Sequence, residues 1–100
     1  MRDSQDENSL TASVKRRRQD FESNMIGFLM TELDLASTFI KIAKSDGEEK
    51  TVRNRKNARK AYDTVVYFLG KAAIPQEEEA EIRVKLAPLK SDLQSLGEAF

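Results

Sequence analysis

Three stripes of aliphatic residues at alternating spacings of three and four dominate this 100-residue chain, and glycine or proline separates each from the next. Ile26, Leu29, Leu33, Ala36, Ile40 and Ala43 make the first stripe. Ala58, Ala61, Tyr62, Val65, Phe68 and Leu69 make the second, and Ile82, Leu86, Leu89, Leu93 and Leu96 the third. Such spacing places one apolar face along an α-helix. Alternation of the strand type never lasts long enough to compete, and no repeat of fixed period is present. The expected fold is all-α: an antiparallel three-helix bundle over residues 14–100, with helices at about 18–45, 48–70 and 75–97. The heptad-like seams suit either an intramolecular bundle or helix exchange in a dimer.

Local signals set the boundaries. Ser45-Asp46-Gly47 offers a helix stop and cap residues for the next helix, followed by Glu48 and Glu49 at its positive end. Gly70 is the expected end of the second helix and Pro75 the expected first turn of the third, with Glu77, Glu78 and Glu79 against the dipole. Pro88 interrupts the third seam. A mid-helix proline loses one backbone bond and clashes one turn back, so either a kinked helix or two short helices is expected there. Residues 1–13, rich in Asp, Glu, Ser and Asn, are expected to form a mobile tail, because they offer little apolar surface to offset ordering entropy.

In the first helix Phe28, Leu35, Phe39 and Ile42 widen the apolar face to nearly half the circumference. A face that broad implies contact with two neighbours.

Composition narrows the chemistry. The chain has neither cysteine nor histidine, which removes thiolate and imidazole catalysis and nearly every zinc or haem site. A general base would have to be a carboxylate, lysine or tyrosine. Glu32 is the one acid projecting into the apolar arc of the first helix, level with Ala61 and Tyr62 and flanked by Arg59. The expectation is a buried polar pair of Glu32 with Tyr62, since no second inward carboxylate accompanies it at ligand or acid–base spacing. Glu77, Glu78 and Glu79 point to different sides of a helix and do not converge on an ion. The chain therefore reads as a non-enzyme with no catalytic residue, metal or cofactor.

Seventeen basic residues balance seventeen acidic ones, so any electrostatic attraction to a partner must be local. Between Lys50 and Lys60 lie six basic residues and no acid, with Arg53, Lys56 and Lys60 on one stripe facing away from Ala61 and Val65. Together with Lys15 to Arg18 they form a possible interaction surface. The expected partner is a protein, or a second copy of the chain. A weak nucleic-acid binder is the alternative, held back because no aromatic residue interleaves with the stripe. Asn54 projects onto the centre of the apolar face, where a thinner hairpin is expected to leave room for a ligand segment. No apolar run reaches the roughly 20 residues of a membrane helix, and the first residues are too polar for a secretory signal, so a cytoplasmic, membrane-free protein is expected.

Ala58, Ala61-Tyr62, Val65 and Phe68-Leu69, within the stretch Leu33 to Leu69, resemble the alanine-and-tyrosine helices of tetratricopeptide-like hairpins and of the microtubule-interacting and transport three-helix domain. The tetratricopeptide tryptophan is absent and one hairpin stands where those proteins carry an array. The resemblance implies a protein that receives a helical or extended peptide between its helices; the matching positions are packing positions and imply no functional residue.

Overall fold

A computed structural model describes the backbone of residues 2–45 and 47–100 and the side chains of residues 12–45, 47 and 51–100. Three helices follow in order, α1 (Arg2–Ser45), α2 (Glu48–Lys71) and α3 (Gln76–Ser95), and no strand occurs among the described residues. The three seams meet as expected. Leu29, Ile82, Leu93 and Val65 are the largest side chains sealed in the interior, and Ala36 and Ala58 let α1 and α2 approach. Ile26 lies at the margin of this core, half-buried.

The α1–α2 turn is stitched by Thr51. Its hydroxyl donates to the Ala43 carbonyl at 2.9 Å and its amide to the Gly47 carbonyl at 3.0 Å, tying the last turn of α1 to the first of α2. Gly70 does not stop α2, which ends one residue later with the Ala72 amide donating to the Phe68 carbonyl at 2.8 Å. Pro75 caps α3 from outside instead of forming its first turn, and its carbonyl accepts from the Glu79 amide at 2.9 Å. α3 runs unbroken through Pro88, which settles the choice between one helix and two.

At the far end of α3 the chain reverses in a Schellman turn. Gly97 takes φ +104°, its amide donates to the Gln94 carbonyl at 3.0 Å, and the Glu98 amide donates to the Leu93 carbonyl at 2.9 Å.

α1 begins at Arg2, ahead of the start near residue 18 that the apolar spacing marks. Once a helix is nucleated, each further residue adds a hydrogen bond at little cost. α1 has 44 residues, roughly 66 Å at 1.5 Å per residue, against 24 for α2 and 20 for α3. The molecule is consequently a rod of 70 × 20 × 16 Å with a radius of gyration of 18.9 Å. About 13 Å would be usual for a chain of this length.

Candidate functional site

The apolar face of α1 is wider than α2 and α3 together can cover. Phe28 and Leu35 remain 42% and 41% exposed. With Glu32 and Phe39 they form one wall of a groove of about 410 Å³, whose other wall is Asn57, Lys60, Ala61 and Thr64 of α2. Each wall is a helix face at spacings of three and four, so the groove runs along both axes. Phe28 meets Phe68 edge-on at 5.7 Å toward the end of α2, and Phe68 meets Tyr67 at 5.2 Å. The Thr64 hydroxyl donates to the Lys60 carbonyl of its own helix at 2.9 Å.

The three basic positions marked in the sequence line this side of α2. Arg53 and Lys56 border a second hollow with Val52 and Asn57, and Asn57 joins it to the groove. Arg53, Lys56 and Lys60 are exposed and enter no ion pair among the described residues. Their neighbours in the basic run are spent elsewhere. Arg55 donates to the Leu96 carbonyl at 3.1 Å, and its Nε lies 3.0 Å from Glu98 Oε2 without aiming its N–H at that oxygen. Arg59 pairs with Asp63 at 3.0 Å and donates to the Ala99 carbonyl. Helical geometry thus sorts the run into a neutralised flank facing the segment after α3 and an open flank beside the groove.

Two expectations need correction. Glu32 and Tyr62 do not form a buried polar pair. Glu32 is half-buried in the groove and makes no hydrogen bond or ion pair among the described residues, whereas the Tyr62 ring turns to the opposite flank and meets Phe100 at 5.2 Å. Ala61 lies between the two flanks, and one residue along a helix rotates a side chain by about 100°, so being level along the axis does not bring Tyr62 to Glu32. Asn54 is buried, as projected, but it is partnered, and the groove opens beside Asn57.

Sequence reasoning did not find Asn57 and Thr64, which have no chemical signature until α1 is laid beside α2. The exposed excess of α1 did leave a signal, the added width from Phe28, Leu35 and Phe39. Among the described residues no three acids converge on a point that could hold a metal ion, and no helix is long and apolar enough to cross a membrane. No protein family, no curated protein and no solved structure matches this chain.

Proposed function

We propose that the protein is a non-enzymatic helical interaction or oligomerisation module that receives an amphipathic helix in the α1–α2 groove. The observation that carries this reading is the pair of half-exposed apolar side chains, Phe28 and Leu35, set at helical spacing in a groove with cationic groups along one rim. A solvated bundle has no use for a wide apolar stripe, and its cover is the natural route to burying it. The resemblance to hairpins that hold peptides between their helices supports the same mode of use.

A photo-reactive amino acid replacing Leu35, compared with one replacing Val84, tests the proposal in cells. Val84 is 72% exposed on α3 and serves as the control. A discrete adduct at position 35 and none at 84 is expected. The same smear from both positions would remove the groove as a docking site.

The second reading, weak nucleic-acid binding, draws on the exposed Arg53, Lys56 and Lys60. Titration with single-stranded and duplex oligonucleotides at two salt concentrations decides it, because phosphate contacts are tightest at low salt. No binding at low salt ends that reading.

A further inference from the structure

We infer that the occupant of the groove is the N-terminal half of α1 from a second copy of this chain, laid antiparallel about a two-fold axis near residue 23. The inference rests on the docking role proposed above and names its partner.

α1 carries a second seam besides the one in the core. Val14, Phe21, Phe28 and Leu35 recur every seven residues, and they are 54%, 63%, 42% and 41% exposed. The position four residues after each holds Arg18, Met25, Glu32 and Phe39 in turn. Alternating steps of four and three are the pattern of a coiled-coil seam. Its second half is the α1 wall of the groove; of its first half, Met25 packs against the edge of the core while Val14, Arg18 and Phe21 are exposed. One stripe therefore holds both the receptor and a candidate ligand.

Charge selects the orientation. In a parallel pair, Arg18 would meet Arg18 and Glu32 would meet Glu32, a repulsion at both polar positions. In an antiparallel pair centred near residue 23, Val14 comes level with Glu32 of the other copy, Phe21 with Met25, and Arg18 with Phe28. Arg18 then lies one turn from the opposing Glu32, which has no partner of its own among the described residues. With Arg18 on one half of the stripe and Glu32 on the other, the antiparallel arrangement makes the stripe complementary to itself.

The full chain is tested by sedimentation velocity and by cysteine cross-linking. A species of twice 11.4 kDa is expected at micromolar concentration. Phe21→Asp, at an exposed position, is expected to return it to monomer with unchanged helical circular dichroism, and Val84→Asp is expected to leave the dimer intact. Because the chain has no cysteine, Val14→Cys with Glu32→Cys reads the register. Eighteen residues of helix separate the two by about 27 Å, so any disulfide between them joins two chains. A closed, cross-linked dimer supports the inference. A monomer at 100 µM, or a dimer indifferent to Phe21→Asp and unable to cross-link, overturns it. The photo-adduct at position 35 separates this from the broader reading: an adduct with a different protein leaves the groove a docking site and removes self-pairing, and no adduct removes both.

Discussion

The guanidinium carbon of Arg59 lies 3.8 Å above the centroid of the Phe100 ring, and Tyr62 meets the same ring edge-on at 5.2 Å. Residues 97–100 thereby fold back across the flank of α2 opposite the groove, with Glu98 3.0 Å from Arg55 and 3.7 Å from Arg59. This latch uses up the cations that would otherwise extend the basic stripe to both sides of α2. Phe100→Ala removes the ring from Arg59, Tyr62 and Lys90, whose Nζ lies 5.4 Å from its centroid, and a stability loss of about 1 kcal/mol is expected for half-exposed cation–π contacts with an aromatic edge. Urea denaturation monitored by circular dichroism reads it. No change would mean that the ring contributes nothing beyond its contacts with water.

Gly97→Ala tests the turn that aims the latch. At φ +104° a side chain is strained, and its Cβ would also come 3.4 Å from Arg55 Nη1. A loss of about 1–2 kcal/mol is expected. Weaker amide protection at Glu98 should accompany it, since that amide donates across the turn.

Pro88→Ala probes the unbroken third helix. The ring denies the Val84 carbonyl a backbone donor, and Val84 is 72% exposed, so water meets part of that need. Restoring the N–H is expected to raise stability by about 1–3 kcal/mol. A lower denaturation midpoint would show that packing of the proline in the hollow beside Leu33 and Ser37 outweighs the backbone gain.

Leu93→Ala removes a side chain that is fully buried between the helices. It is expected to cost about 2–5 kcal/mol, as for other leucines sealed in a core. Val84→Ala on the outer face of the same helix should stay within about 0.5 kcal/mol. Equal effects of the two changes would mean that the third seam does not face the interior.

Most of the bundle could be read from spacing alone. Leu29, Leu33, Ala36, Ala58, Val65, Ile82 and Leu93 are buried where the 3.6-residue period puts them, because periodicity is a property of each helix by itself. The spacing put the start of α1 near residue 18, whereas the helix runs from Arg2, because the apolar stripe marks only the part of a helix that has neighbours to pack against. The exposure of Arg53, Lys56 and Lys60 was likewise legible, since it follows from their angle around α2. That Glu32 and Tyr62 lie on opposite flanks was not, because it depends on how two helices are rotated against each other.

Helix number, helix type and the identity of the buried stripes were thus determined by the order of residues, through interactions reaching no farther than one helical turn. Which flank of α2 is neutralised and which is left open were decided only in three dimensions. Those outcomes hang on contacts between residues some forty positions apart, such as Arg55 with Glu98 and Arg59 with Phe100. No local propensity encodes them, and only the packing of whole helices brings such groups within reach.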